Sequence, residues 1–351
     1  MSDLFDYKKE MSELRFTENQ KKALAEAAAS AARTPAKRRR PVFRTALIAA
    51  AMAVVLAVGA SAAGILPSPA EIFTPLFGGA AAQTEVIDKI GRPIGASDSD
   101  GGITITAEAI MGDQYNAVIV YTLTRDDGER FLPEGKSLDE THLMMGGYGG
   151  ASWVKGGAHG GSWFVDEDPE DNQIQLVETA SSNVAMTKGT ANASFEDLQY
   201  WNAETEQAEL LYPGKWKLRF EVDYEDCSVR LGGGEAFSQD GLNFTIDEIS
   251  VSPIAVKVNY TADAEAVWSG APSGRQAPED ARQAQRYLEN VEIFLTKTSG
   301  AVIDLSGSGG SVAPKDGVSV CSKGRVLDEI IPLEDMASVS VGGVTYEIPH
   351  S

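Results

Sequence analysis

The sequence predicts a mainly β protein, in which two antiparallel β-sandwich (Ig-like) domains follow one transmembrane helix and a short helical N-terminus. Three observations support this fold class. Beyond residue 100, apolar and polar residues alternate over short runs that turn residues separate. One pair of these runs recurs 139 residues later in the chain, and the apolar stretch 45–66 contains no charged side chain.

Residues 1–36 predict two short amphipathic helices. Apolar side chains recur in the first helix at spacings of three, four and three, which places them on one face. This N-terminal stripe consists of Leu4, Tyr7, Met11 and Leu14. A capping-box pattern in TENQ predicts that the second helix starts at Glu18. Because so small a unit buries little core, we expect the stripe to bind a partner; the inner membrane surface, the second helix of the same unit and a loosely ordered tail are the alternatives.

Residues 37–66 predict a basic flank and a transmembrane helix. The uncharged run 45–66 has 22 residues, which as a helix would span about 33 Å, close to the hydrocarbon core of a bilayer. Five basic residues of the flank, at 37–40 and 44, precede this run and none follows it until Lys89, so the positive-inside rule predicts a cytoplasmic N-terminus and an extracytoplasmic region 67–351. A cleaved signal peptide, with an A-x-A-like site at 60–62, and a soluble alanine-rich helix are the alternatives.

Charge is distributed unevenly along the chain. Residues 1–44 carry a net charge of +5 and residues 67–351 carry −26, which together give the −21 of the whole sequence. An acidic region of this kind repels nucleic acid, because DNA binding depends on neutralising phosphate charge. We therefore expect no direct nucleic-acid binding, and contact with the lipid bilayer through the one helix.

The region after the membrane segment predicts a juxtamembrane linker at 67–92 and β-sandwich domains at 93–230 and 231–351. Seven runs with period-two alternation predict strands at 103–110, 116–124, 215–224, 243–251, 254–262, 291–298 and 344–349. The run 278–290 is the clearest helical pattern there.

A weak internal repeat supports two related β-domains. The segment 102–122 aligns with 241–261 without a gap, so that Gly102 meets Gly241 and Tyr121 meets Tyr260. A chance match between two strand-rich stretches is the alternative.

A glycine-rich stretch at 144–172 predicts a long loop in the first domain. It contains the aromatic residues Tyr148, Trp153 and Trp163. Aromatic side chains on a glycine-rich loop suit recognition of a peptide or a sugar, so we expect these three to form an external recognition loop for an unknown ligand. They would equally serve to cap the open end of the sandwich.

No pattern in the sequence indicates catalysis or a cofactor. The three histidines lack cysteine neighbours, and a P-loop, a nucleophile elbow and a histidine pair on one helix face are all missing. The acidic run 166–171 lacks the spacing of a calcium-binding loop. We therefore expect no enzyme activity, no cofactor and no metal site. Cys227 and Cys321 are expected to be free thiols, with a disulfide between the domains as the alternative.

Several stretches resemble a family of single-pass membrane proteins of Gram-positive bacteria that are often encoded beside extracytoplasmic-function sigma factors. These stretches are 5–24, 38–55, 68–79, 84–97 and 101–113, within about the first third of the chain. In that family the extracytoplasmic region is a domain of unknown function, and some members are described as anti-sigma factors. Zinc-containing anti-sigma factors carry a histidine and a Cys-x-x-Cys in their cytoplasmic helices. Residues 1–44 contain neither residue type, which excludes a zinc-based redox switch here.

The residues and the resemblance together predict a membrane-anchored regulator similar to an anti-sigma factor. Residues 1–36 would bind a cytoplasmic protein, with a sigma factor as the candidate, and residues 67–351 would sense or bind something outside the membrane. The alternative is a cell-surface binding or envelope structural protein without a sigma-factor partner, whose N-terminal tail only aids insertion.

Overall fold

The computed structural model describes residues 66–133, 137–153, 158–203, 205–270 and 277–350. The predicted N-terminal helices, the N-terminal stripe and the predicted membrane segment up to residue 65 lie outside these ranges and stay predictions. Within the described ranges, no helix combines the length and the apolar character that crossing a bilayer requires.

The described residues are mainly β, with antiparallel sheets. The first β-unit contains eight strands: β1 Arg92–Asp100, β2 Ile103–Gly112, β3 Asn116–Arg125, β4 Leu143–Ser152, β5 Ala158–Val165, β6 Gln173–Ser182, β7 Gly189–Asn202 and β8 Gln207–Val222. They form a larger sheet in the order β1-β2-β3-β6-β5 and a smaller sheet in the order β4-β7-β8.

The second β-unit contains ten strands: β9 Val229–Leu231, β10 Ala236–Gln239, β11 Leu242–Val251, β12 Ala255–Ala262, β13 Ile293–Lys297, β14 Val302–Asp304, β15 Gly310–Lys315, β16 Val318–Val326, β17 Met336–Val341 and β18 Val344–Glu347. The larger sheet has the order β10-β11-β12-β16-β15, with β9 paired to β11, and the smaller sheet has the order β14-β13-β17-β18.

Helices are few and short in the described ranges. They are α1 Pro69–Phe77, α2 Ala81–Ile90, α3 Leu138–Thr141 and α4 Pro278–Ala284, together with a π-helical turn Gln285–Glu289 and a 3-10 turn Leu333–Asp335.

The structure confirms the seven predicted strands and the predicted helix. Each strand-like run overlaps one of β2, β3, β8, β11, β12, β13 and β18, and the run 278–290 forms α4 with the π-helical turn after it. The prediction of a long loop at 144–172 is wrong, because much of this stretch forms β4 and β5. Glycine adds no apolar side chain to one face of a strand, so the alternation that marks the other strands is missing there.

Strand register confirms the internal repeat. Tyr121 in β3 pairs with Ala107, and Tyr260 in β12 pairs with Ile246, which are the positions that the 139-residue shift aligns. Both hairpins also bulge at the same place, directly after Ala107 and directly after Ile246. The larger sheets of the two β-units share one strand order, since β1-β2-β3-β6-β5 corresponds to β10-β11-β12-β16-β15.

The first β-unit encloses an apolar core between its two sheets. Tyr121 in the larger sheet packs edge-on against Phe195 in the smaller sheet, with ring centroids 5.2 Å apart. Trp216 in β8 is buried and donates its indole N–H to the carbonyl oxygen of Ile103 at 2.9 Å. The second β-unit has a separate core between its own two sheets.

Hydrogen bonds join the two sheets of the first β-unit along one side. The carboxylates of Asp98 and Asp100 in β1 accept the backbone N–H groups of Lys217 and Lys215 in β8, at 2.8 and 2.9 Å. The opposite side has β4 and β5 as its edge strands. The cavities considered below lie on that opposite side.

The predicted juxtamembrane linker contains a helical hairpin that packs against both β-units. Ser68 caps α1 through a capping box with Glu71. Together with Ala70, four large buried side chains of α1 and α2 enter a third apolar core, with residues from the first β-unit and from the start of β12 in the second. These are Phe73, Phe77, Ile87 and Ile90. The carbonyl oxygen of Phe77 also accepts the backbone N–H of Ile330 at 3.0 Å.

The two β-units also touch at positions that the repeat relates. Asp113 and Ser252 occupy equivalent places in the two hairpins, 139 residues apart, and both are buried. The Ser252 hydroxyl donates a hydrogen bond to Asp113 Oδ2 at 2.5 Å. Each side chain also accepts backbone N–H groups of its own turn, from Tyr115 for Asp113 and from Ala255 for Ser252. One buried hydrogen bond thus links the two turns, and each side chain also stabilises the turn to which it belongs.

Candidate functional site

A cleft of about 480 Å³ lies where β4, β5 and β6 meet, and we call it the aromatic cleft. The larger and polar side chains of its lining include Tyr148, Trp153, His159, Ser162, Glu178 and Thr179. Glycines of β4 and β5 also line it, together with Ala151, Ser152 and Ala180. Two aromatic rings, one carboxylate and several hydroxyl groups suit the binding of a small polar ligand.

The structure brings the three residues of the predicted recognition loop to this edge of the first β-unit. Tyr148 in β4 is 44% exposed and Trp163 in β5 is 43% exposed, whereas Trp153 is half-buried. Tyr148 and Trp153 line the aromatic cleft together. Trp163 lines two neighbouring cavities instead. Their role in recognising an external ligand stays a prediction.

The glycines at this edge permit close approach between strands. A Cβ atom at Gly150 would lie 2.1 Å from the Glu178 carboxylate, and one at Gly160 would lie 1.7 Å from the carbonyl oxygen of Thr179. Either contact is far inside van der Waals distance, so a larger residue would force the strands or side chains apart. Glycine here serves tight packing around Glu178 and β6.

Glu178 is the charged residue of the cleft, and it is 6% exposed. One oxygen of its carboxylate accepts the backbone N–H of Ala151, and the other accepts the Tyr121 hydroxyl, both at 2.8 Å. Burial raises the pKa of Glu178, while the hydrogen bonds from Tyr121, Ala151 and Tyr148 lower it again in part. No salt bridge joins Glu178 to a basic side chain within the described ranges.

The two aromatic side chains of the cleft have different surroundings. Tyr148 packs against Phe195, with ring centroids 5.6 Å apart, and its hydroxyl interacts with Glu178 and Ser162. Burial is the main reason that the pKa of Tyr148 is raised. Trp153 has a buried indole N–H with no acceptor among the described residues. A ligand oxygen would be one suitable acceptor for that group.

Sequence reasoning missed Glu178, although a signal for it existed. Ile174, Leu176 and Glu178 occupy alternate positions of β6, and all three are buried. A glutamate in phase with the apolar face of a strand is unusual, since burying a carboxylate is costly unless the protein provides partners.

A second cavity of about 430 Å³ adjoins the aromatic cleft, and we call it the junction pocket. The two cavities share His159, Gly160, Gly161 and Thr179 as lining residues. The junction pocket is also lined by Phe77 at the end of α1, by Trp163 of β5 and by Arg325 of β16. It therefore contacts the helical hairpin and both β-units.

His159 lies in the wall between the two cavities. Burial, and to a smaller extent the positive charge of Lys257, lower the pKa of His159 below its ordinary value. A lowered pKa favours the neutral form of the imidazole. Lys257 itself donates to the carbonyl oxygen of Ser182 at 2.5 Å, and burial lowers its pKa to about 8.

The described part of the chain has few other groups that could bind a metal ion or react. No group of three or more His, Cys, Asp or Glu side chains there is arranged to hold a metal ion. Cys227 and Cys321 are free thiols in the structure, and they pack against different apolar cores. Burial raises the pKa of the Cys321 thiol to about 12, which keeps it unreactive.

Comparison with known proteins identifies no family. No family model and no curated protein matches the chain. Among solved structures, a conserved domain protein from Bacillus anthracis is similar to this chain with a TM-score of 0.45 and 13% sequence identity. The match covers 72% of this chain and 76% of that protein. A similarity at this level does not indicate a function.

Proposed function

We propose that this chain is a membrane-anchored regulator similar to an anti-sigma factor. In this proposal, residues 45–66 form a single transmembrane helix, and the two β-units are Ig-like β-sandwich domains outside the membrane. The aromatic cleft binds an external ligand, and residues 1–36 bind a cytoplasmic protein, with a sigma factor as the candidate. The chain acts by binding, and it catalyses no reaction.

One observation carries this proposal: the junction pocket lies beside the aromatic cleft and is lined by Phe77 of α1. Helix α1 begins at Pro69, three residues after the proposed membrane helix ends at Leu66. Its buried side chains pack against both β-units, so it is not a free tether. Closely packed interiors transmit displacement, which supports a route from a ligand in the cleft, through the shared wall at His159, to the membrane segment.

The alternative is a cell-surface binding or envelope structural protein without a sigma-factor partner. The aromatic cleft suits this role as well, because ligand binding at the surface requires no cytoplasmic contact. The two proposals differ in what residues 1–36 do, and they are separated by testing the N-terminal stripe.

The deciding experiment is co-purification of cytoplasmic proteins with the full-length chain in detergent. A double substitution, Met11→Asp with Leu14→Asp, places two charges in the N-terminal stripe and is expected to abolish binding of the cytoplasmic partner. The matched control, Ser2→Asp with Ser12→Asp, adds the same two negative charges away from the stripe and is expected to retain the partner. If the wild type captures no sigma factor, or if the stripe variant captures as much as the control, the alternative is favoured.

A further inference from the structure

We propose that the ligand of the aromatic cleft carries an organic cation, such as an alkylammonium group, held beside the Glu178 carboxylate and the rings of Tyr148 and Trp153. This inference deepens the proposed function and rests on its premise that the cleft is the external ligand site.

The first reason is a buried carboxylate without a counter-charge. Glu178 accepts hydrogen bonds from Tyr121 and Ala151, one on each carboxylate oxygen, and these donors offset part of the rise in pKa that burial causes. Yet no described lysine or arginine lines the cleft, and the imidazole of His159 has a lowered pKa. Buried charges in proteins are normally paired, because an isolated one loses its hydration without compensation. A cationic ligand would supply the missing partner.

The second reason is the type of side chain around that carboxylate. Tyr148 and Trp153 line the same cleft as Glu178, and the Tyr148 hydroxyl interacts with the carboxylate. The faces of aromatic rings are electron-rich and attract ammonium groups, most strongly where water is partly excluded. Neutral sugars also bind aromatic side chains, but they carry no positive charge. They could only add hydrogen bonds to a carboxylate whose two oxygens each accept one already.

The third reason is the charge of the whole region. Residues 67–351 carry a net charge of −26, so the field around the β-units attracts cations and repels anions. This field raises the rate at which a cationic ligand reaches the cleft, and it disfavours phosphate-bearing or carboxylate-bearing ligands. Local and overall charge therefore favour the same class of ligand.

The test compares three probes of nearly the same size and shape: choline, 3,3-dimethylbutylamine and 3,3-dimethyl-1-butanol. The first is a quaternary ammonium, the second is a primary ammonium near pH 7, and the third is neutral. Each is titrated into the full-length chain in detergent, with calorimetry and tryptophan fluorescence as readouts. At least one cation is expected to bind at least tenfold more tightly than the alcohol.

Three variants locate the effect. Glu178→Gln keeps the size of the side chain and is expected to remove the tenfold preference for the cation. Glu347→Gln removes one exposed carboxylate on β18 and is expected to leave the preference unchanged. Trp153→Leu keeps an apolar side chain but removes an aromatic ring, so it is expected to weaken the cations more than the alcohol. The Trp153 variant also tests the proposal if Glu178→Gln fails to fold, which circular dichroism would detect.

Lys155 requires its own control, because it follows Trp153 closely in the sequence and lies outside the described residues. Lys155→Gln is expected to bind the cations as the wild type does. A cation preference that appears only in this variant would show that the chain supplies its own counter-ion, and it would overturn the proposal.

Further outcomes would also overturn the proposal. If the three probes bind equally and Trp153→Leu weakens them all, the cleft binds ligands but does not select cations. If none binds, the cation proposal fails, while co-purification through the N-terminal stripe still decides the proposed function on its own.

Discussion

Phe73 of α1 offers a direct test of whether the helical hairpin is part of the folded body or a separate attachment. Its side chain is fully buried in the third core, which it shares with residues of both β-units. Its ring also lies near that of Phe77, with centroids 6.3 Å apart. Phe73→Ala would therefore remove a ring that helps to pack the helical hairpin against both β-units.

The expected loss can be worked from burial. A fully buried aromatic side chain removes roughly 150–200 Å² from water, which at about 25 cal/mol per Å² corresponds to about 4–5 kcal/mol. Because alanine keeps the Cβ atom and the cavity relaxes in part, the observed range for such substitutions is about 3–5 kcal/mol. We expect Phe73→Ala to lower the free energy of unfolding by this amount.

The assay is urea unfolding of the full-length chain, followed by tryptophan fluorescence. All five tryptophans lie at 153 or beyond, so the signal reports on the β-units and not on the hairpin itself. Glu85→Ala, at an exposed position of α2, is the control and is expected to change stability by less than about 0.5 kcal/mol. If Phe73→Ala shifts the β-unit transition by less than about 1 kcal/mol, the hairpin unfolds independently, and the proposed route from cleft to membrane fails.

Three further predictions concern topology, packing and charge. Protease added to wall-stripped cells is expected to digest residues 67–351 and leave a small membrane-bound stub, because the basic flank predicts a cytoplasmic N-terminus; full protection would contradict this. Gly150→Ala is expected to lower stability by about 1–3 kcal/mol in thermal unfolding, because its Cβ would overlap Glu178, whereas Gly161→Ala faces open space and serves as the control. Equal effects of the two changes would refute the packing argument. Burial lowers the pKa of Lys257 to about 8 from an ordinary value of 10.5, so the unfolded chain binds more protons between these values, and stability should rise with pH there. Lys257→Met should reduce that slope in urea unfolding at several pH values, and an unchanged slope would show that Lys257 is not its source.

In most of the strands that the sequence predicted, one face is buried and apolar and the other is more exposed and polar. In β2, Ile103 and Ile105 are buried while Thr104 and Thr106 between them are partly exposed, so alternation in the sequence corresponds directly to burial in the sheet. β4 and β5 contain several glycines and no such alternation, and their places in the sheets follow from the strands they pair with. Local pattern therefore carried no information about these two strands, which line the aromatic cleft.

The candidate site was predictable only in part for a related reason. Tyr148, Trp153 and Trp163 stood out because aromatic residues are conspicuous among glycines. Glu178 was visible as a charged residue in phase with an apolar face, but nothing near it in sequence identifies its partners. Tyr121 lies 57 residues away and Ala151 lies 27 residues away, and only strand pairing and sheet packing bring them to the carboxylate.

The sequence by itself determined the β class and the position of seven strands and one helix. It also determined the repeat that relates the hairpin β2–β3 to the hairpin β11–β12. These features depend on periodicity and residue type, which a sequence displays directly. Only the tertiary structure decided that the repeat extends to a third strand, because Leu176 and Cys321 face Tyr121 and Tyr260 with an offset of 145 instead of 139. It also decided that α1 and α2 pack between the β-units, and that Gly150 lies against Glu178. Contacts of this kind depend on how separate segments fill shared space, and close packing of the whole fold selects them.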